Sequence, residues 1–279
     1  ENEFAKFQDS KYAVAVANGS IALYVALKAC NVNLGDEVIV PSYTFQATAI
    51  SVLFTNAIPV FADVELATGC LDPKSIEERI SSRTKAIIVV HQFGIPADMR
   101  AIMAISRHHR LTIIEDCAQA HGAQLNGQYV GTFGDIGIFS LNVNKSIQTG
   151  EGGVCITADS ELAYRLALIR NHGEAVVGSA NYDNIINIAG FNYRLTELQA
   201  AIAREQLKKL DKLNIKCMNQ PSQRIRMFLV QMSVLFRHTS MEFLRYGSDT
   251  TRKRSFQKWI ISGSSASSVP LPKQVSMML

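Results

Sequence analysis

The chain has 279 residues, 47% hydrophobic and 19% charged, the balance of an ordinary globular protein with a sizeable core. No apolar run approaches the roughly 20 residues that span a bilayer, and the start ENEFAKFQDSKYAV has neither the cationic opening nor the apolar centre of a secretion signal. The formal charge of +4 is uneven: from Met218 onward nine Lys/Arg stand against two Asp/Glu, leaving 19 basic and 22 acidic residues before it, so the folded part is expected to lack a basic face for nucleic acid.

Cys30, Cys70, Cys117, Cys155 and Cys217 are odd in number, and no pair has CxxC spacing. Reduced thiols in a cytoplasmic protein are expected, with no zinc site and no disulfide framework. The chain opens on a glutamate without an initiator methionine, as a fragment would.

From residue 18 the chain alternates β-like runs with helical stretches. Asn18, Gly19 and Ser20 precede the apolar run IALYVALKAC, the signature of a capped helix start. EVIVPS reads as a strand, TFQATAISVLFTN as a helix, IPVFADV as a strand and PKSIEERIS as a helix. KAIIVVHQFG holds an unbroken β-branched run, Ile87 to Val90, expected in a strand buried on both faces. The helix DMRAIMAISRHH, the strands LTIIEDC, IGIFSL and VCITAD, and the helix SELAYRLALIRNHG follow. TELQAAIAREQLKKLDKLN is expected to close the region as one long amphipathic helix. This order predicts an α/β fold, a mostly parallel sheet with helices on both faces, and a ligand site beyond the carboxyl ends of the strands. Gly131, Gly134 and Gly137 read as turns, and no GxGxxG or GxxxxGK signals a dinucleotide or P-loop site.

Lys145 sits a few residues past the run IFSL, in a polar stretch followed by GEGG. A lone lysine there is usually a solvated loop cation. A Schiff-base lysine would need further parts: a cleft that lowers its pKa, a carboxylate for a pyridinium nitrogen, an apolar ring face and a helix N-terminus with hydroxyls for a phosphate. The chain offers each in Asp116 at a strand end, Phe45 after another strand, Gly19 and Ser20 at a helix start, and Ser140 five residues before Lys145. His121 reads equally well as a core histidine or a ligand-facing one, and His108 and His109 as a solvated helix end.

The segments NGSIALYVAL, PSYTFQATA, IIEDCAQAHGA, GTFGDIGIFSLNVNKSIQTGEGG, RNHG and GFNYRLTELQAAI resemble, in order and spacing, the motifs of the DegT/StrS sugar aminotransferases over residues 1 to about 216. The resemblance implies a pyridoxal phosphate (PLP) fold type I large domain, with a small C-terminal domain absent or atypical. It implies that Lys145 holds the cofactor and shuttles a proton, that Asp116 pairs with the ring nitrogen, and that Gln119 lies near the ring hydroxyl. It places Phe45 on the ring face, Gly19, Ser20 and Ser140 around the phosphate, and Asn192 and Arg194 at the neighbouring subunit's phosphate in a homodimer.

The implied activity is transfer of an amino group, usually from glutamate, to a nucleotide-linked ketosugar, with no metal, nucleic acid or membrane as partner. A sugar dehydratase of the same family would carry histidine in place of Lys145. The other alternative is a truncated or frame-shifted relative that binds PLP or a partner without turnover. It rests on two departures: a missing first segment, and a basic, serine-rich stretch from 217 to 279 that drops the βα alternation. That stretch is expected to be poorly ordered beside a large domain of residues 1–216, with catalysis weak or absent.

Overall fold

The protein is described here by a computed structural model covering residues 1–174 and 188–219. The elements run in order as α1 (Asn2–Phe7), β1 (Tyr12–Val16), α2 (Gly19–Ala29), β2 (Glu37–Pro41), α3 (Ala47–Phe54), β3 (Ile58–Ala62), α4 (Pro73–Arg79), β4 (Thr84–Val90), α5 (Met99–His109) and β5 (Thr112–Asp116). A two-residue hairpin, β6 (Gln124–Leu125) and β7 (Gln128–Tyr129), leads to β8 (Ile136–Ser140), β9 (Gly153–Thr157), α6 (Ser160–Arg170), α7 (Glu197–Leu207) and α8 (Leu210–Met218).

Seven strands form one sheet in the order β1-β9-β8-β5-β4-β2-β3. The pairs β2–β3, β2–β4, β4–β5 and β5–β8 are parallel, whereas β9 lies antiparallel to both β8 and β1. The expected mostly parallel sheet is therefore present, with one reversed strand inside it.

Alternation along the central strands builds two cores. Ala86, Ile88 and Ile114 join α2, with its Ala22, Leu23, Ala26 and Leu27, on one face. Ile87, Val89 and Ile113 face the other way, onto Met99 and Ile102 of α5 and Ile76 of α4. Because both faces are covered, these strands read as continuous apolar runs rather than alternating ones.

Two elements differ from expectation. YAVAV is a strand, its buried Val14 and Val16 alternating with partly exposed neighbours at the sheet edge. The long C-terminal helix breaks at Lys208–Lys209 into α7 and α8. Leu207 and Leu210, three positions apart and so on one side of the helical path, both enter the cluster around Phe4 and Phe139. The start of α7 is set by a reciprocal Thr196–Gln199 capping box.

Glu1–Asn214 forms one compact unit; Ile215–Asn219 belong to a second, whose described part is the end of α8. The expectation for the stretch 217–279 falls almost wholly outside the described residues. Among the described residues no helix is long and apolar enough to cross a membrane. All five cysteines are free, four of them buried.

The topology fixes where chemistry can gather. β1, β2, β4, β5 and β8 run the same way, so Val16, Pro41, Val90, Asp116 and Ser140 end at one edge of the sheet. The loops and helix starts that follow them share that edge.

Candidate active site

Asp116 is the last residue of β5, flanked in register by Val90 of β4 and Ile138 of β8. It is 6% exposed. One carboxylate oxygen accepts from the Ala118 amide at 3.0 Å and the other from the Thr48 hydroxyl at 3.3 Å. Burial holds its pKa above the ordinary 3.8, and the Ala118 bond, the charge of Lys145 and the Thr48 bond pull it back. Each oxygen keeps a lone pair for a further donor.

Lys145 lies in the loop joining β8 to β9. That loop is closed by the amide bonds Leu141 to Gly152, Val143 to Gly150 and Thr149 to Leu141, and the Lys145 amide donates to Asn142 at 2.9 Å. Gly150, at φ +80°, makes the return that side chains rarely adopt. The Lys145 side chain is half-buried, and its amine has no ion pair or hydrogen bond among the described residues. Burial lowers its pKa from 10.5, and the attraction of Asp116 opposes the shift. A half-buried, unpaired amine with a lowered pKa in electrostatic reach of a carboxylate is the state a nucleophilic lysine requires.

The start of α2 and the end of β8 are brought together by close packing. Asn18 caps α2, its side chain accepting from the Ile21 amide at 2.9 Å. A Cβ on Gly19 would stand 2.7 Å from the Ser140 Cβ and 3.0 Å from its Oγ. Only glycine lets the N-terminus of α2 come this near the end of β8. The Ser140 Oγ accepts from Asn142 at 3.3 Å but donates to no described residue. Ser20 is exposed at the same helix start, its hydroxyl also uncommitted among the described residues. Amides and hydroxyls converging on a helix N-terminus favour an anion.

Phe45 is 48% exposed, too open for a core residue. It precedes α3, whose Thr48 touches both Thr44, at 3.0 Å, and Asp116. Gln119 accepts from the Phe93 amide at 3.0 Å through Oε1. Asn192 and Arg194 have no side-chain bond to this group; their backbones bridge Asn171 and Val16. Both are exposed, and the Arg194 guanidinium donates to Asn171 at 2.5 Å. Their segment is held by the amide of Ala17 donating to the Tyr193 carbonyl at 2.8 Å, with Tyr193 packed edge-on to Tyr24.

His121 is buried with its ring tilted against Phe139, 5.6 Å between centroids. Neither ring nitrogen closes a hydrogen bond among the described residues. Burial first and the charge of Lys145 second push its pKa down to about 4, while the Ser140 backbone draws it back a little. It is a neutral imidazole beneath the lysine loop.

Sequence reasoning missed three participants. Thr48 carries no motif of its own. Glu115 and His91 are fully buried and bonded to one another at 2.9 Å. A signal existed for Glu115: a carboxylate inside the buried strand TIIED must be paired or multiply hydrogen-bonded. Its other partners are the amides of Gly131, Phe133 and Gly134, each at 2.7 Å, within the turn the glycines foretold.

Comparison with known proteins identifies the family and the fold. A profile of the DegT/DnrJ/EryC1/StrS aminotransferase family matches residues 1–228. The UDP-N-acetyl-3-dehydro-alpha-D-glucosamine 3-aminotransferase of Acidithiobacillus ferrooxidans is 46% identical over 215 residues, 77% of this chain and 57% of that relative. The aminotransferase from Psychrobacter cryohalolentis superposes with a TM-score of 0.71 at 44% identity, covering 76% of this chain and 55% of that one. A GDP-4-keto-6-deoxymannose-3-dehydratase, solved with a trapped PLP-glutamate geminal diamine, reaches a TM-score of 0.70 at 33% identity, covering 76% of this chain and 60% of that one. The chain thus spans a little over half the length of the relatives it matches, and its sheet has the fold type I arrangement of these enzymes. By profile, identity and fold, the chain belongs to the DegT/DnrJ/EryC1/StrS aminotransferase family.

Proposed function

We propose that this chain binds pyridoxal phosphate and transfers an amino group, with glutamate as donor, to a nucleotide-linked ketosugar. The observation that carries the reading is Lys145: a half-buried amine without a partner among the described residues, in electrostatic reach of a buried strand-end aspartate. The cofactor fits the residues present. Gly19, Ser20 and Ser140 leave a cradle that a single Cβ would fill, with hydroxyl donors uncommitted. Asp116 keeps acceptor capacity for a protonated ring nitrogen, and Phe45 offers an open apolar face.

When bound, the cofactor supplies an electron-withdrawing ring that accepts the electron pair left as a proton leaves the carbon bearing the amine. The residues do the rest. Lys145 Nζ would hold the group covalently and, when free of it, would receive and return the proton. Asp116 keeps the ring nitrogen protonated, and Gln119 holds the ring hydroxyl. Asn192 and Arg194, exposed and with no side-chain bond to this group, serve the neighbouring subunit's phosphate in a homodimer. Residues 1–216 are the proposed cofactor-binding domain. The free cysteines fit a reducing compartment, the cytoplasm.

The dehydratase reading is disfavoured because Lys145 stands where such enzymes, by the resemblance, carry histidine. The test is incubation of the purified chain with pyridoxal phosphate, borohydride reduction and mass mapping, followed by glutamate with a panel of nucleotide ketosugars. Label on Lys145 and amine transfer are expected. Label on Lys28 or Lys85 instead overturns the site, and capture without transfer favours the chain that binds without turnover.

A further inference from the structure

Glu115 and Asp116 are neighbours on β5, so their side chains leave opposite faces of the sheet. An ionised carboxylate as buried as Glu115 is tolerated only when its lone pairs are filled. They are: Oε2 accepts from His91 Nε2 and the Gly131 amide, and Oε1 from the amides of Phe133 and Gly134. The His91 ring is held at its far side too, because Nδ1 accepts from the Ala97 amide at 3.1 Å. That bond places the ring proton on Nε2, directed at Glu115. His91, Glu115 and Cys117 lie close enough together to suggest a metal site. The His91 nitrogens and the carboxylate oxygens are already used, so His91 and Glu115 form a hydrogen-bonded hub and the trio is not a cation site.

The hub governs the loop that leaves β4. The His91 amide donates to the Asp116 carbonyl at 3.1 Å. Two residues on, Phe93 takes a left-handed conformation, φ 53° and ψ 26°, uncommon for a bulky residue and held only where the surroundings enforce it. In that conformation its amide meets Gln119 Oε1. An amide oxygen committed to an N–H fixes which way the Gln119 side chain is turned, leaving its NH₂ group as the free end.

We propose that His91 and Glu115 are a positioning pair. By clamping the 91–97 loop they hold Phe93 in its strained turn, and Phe93 orients Gln119 so that the NH₂ group, not the carbonyl oxygen, is presented to the cofactor's ring oxygen. This rests on the function proposed above. Neither His91 nor Glu115 touches the cofactor; both act through Gln119.

The full chain loaded with pyridoxal phosphate tests it. His91→Asn keeps an acceptor for the Ala97 amide but loses the donor to Glu115, whereas His91→Gln keeps a donor that reaches it. His91→Asn is expected to retain covalent label on Lys145, to displace the visible absorption band of the bound cofactor as Gln119→Ala does, and to lower kcat about tenfold with the donor KM within about twofold. His91→Gln is expected to restore the band. Adding His91→Asn to Gln119→Ala moves the band no further, since one contact is lost only once. An unshifted band in His91→Asn with a lower melting temperature makes the pair purely structural and overturns the proposal. Hydrogen exchange at the Phe93 amide needs no His91 variant, and is expected to be slow in the wild type and fast in Gln119→Ala. Equal exchange overturns the link even if His91→Asn fails to fold. A wild type that takes no label at Lys145 sinks the proposed function instead, and the exchange result still reports the loop.

Discussion

Lys145 is under two opposed influences, burial that drives its amine neutral and the Asp116 carboxylate that keeps it charged, with burial the larger. Covalent capture of pyridoxal phosphate needs the neutral amine, so its rate should rise with pH and level off below the 10.5 of an ordinary lysine. Asp116→Asn removes the attraction and should move the midpoint of that profile lower still; a midpoint unmoved or raised would contradict the coupling. The same substitution should depress turnover by about 10²-fold or more, because the electron sink weakens while the covalent link still forms. Stability responds in the opposite sense. The folded pKa of Asp116 is raised, so its favourable contribution is complete below 3.8 and lost as pH rises through the folded value. The apo Asp116→Asn variant should therefore melt no lower than wild type near neutral pH, and lose its relative advantage on acidification. Melting curves from pH 3 upward, on the order of one unit apart, decide it.

At the scale of elements, the site depends on how closely α2 approaches β8. Gly19→Ala would drive a methyl into Ser140, and relief of a 2.7 Å contact requires the helix start or the strand end to shift. A loss of about 1–3 kcal/mol is expected, with phosphate-dependent cofactor affinity falling more than that of pyridoxal, which has no phosphate to seat. Equal losses for both would mean a general packing defect. The cap is separable. Asn18→Ala removes the acceptor of the Ile21 amide and should cost about 1 kcal/mol in chemical denaturation. On β5 the cost is higher: Glu115→Ala strands His91 and three backbone amides in a buried site, a loss of about 3 kcal/mol or more.

The whole-molecule question is whether one chain makes a site. Arg194 is exposed and bonded to Asn171, outside the Lys145 group, which suits a residue acting on a second copy. A symmetric dimer predicts complementation. Lys145→Ala and Arg194→Ala are each expected to be nearly inactive, yet refolding the two together should recover about one quarter of the wild-type sites, since half the dimers are hybrids with one intact site each. No recovery, alongside proof of hybrid formation, would place Arg194 in its own chain's site or in none.

Much of this architecture follows from local chemistry. The β-branched runs of β4 and β5, the Asn18 cap and the glycines at 131, 134 and 150 act over a few residues, so the sequence alone determined the alternating fold, the polar strand ends and the lysine that needed a partner. What acts across the chain was not legible. YAVAV is too short and mixed to announce itself as an edge strand; it becomes one because β9 offers Cys155 and Val154 as partners. The break at Lys208–Lys209 has no proline or glycine to mark it, so no local signal announces it. Glu115 and His91 are 24 positions apart, and nothing in either neighbourhood names the other. Their pairing exists only because parallel β4 and β5 end side by side, where a buried carboxylate must find donors and the tertiary structure alone decides which.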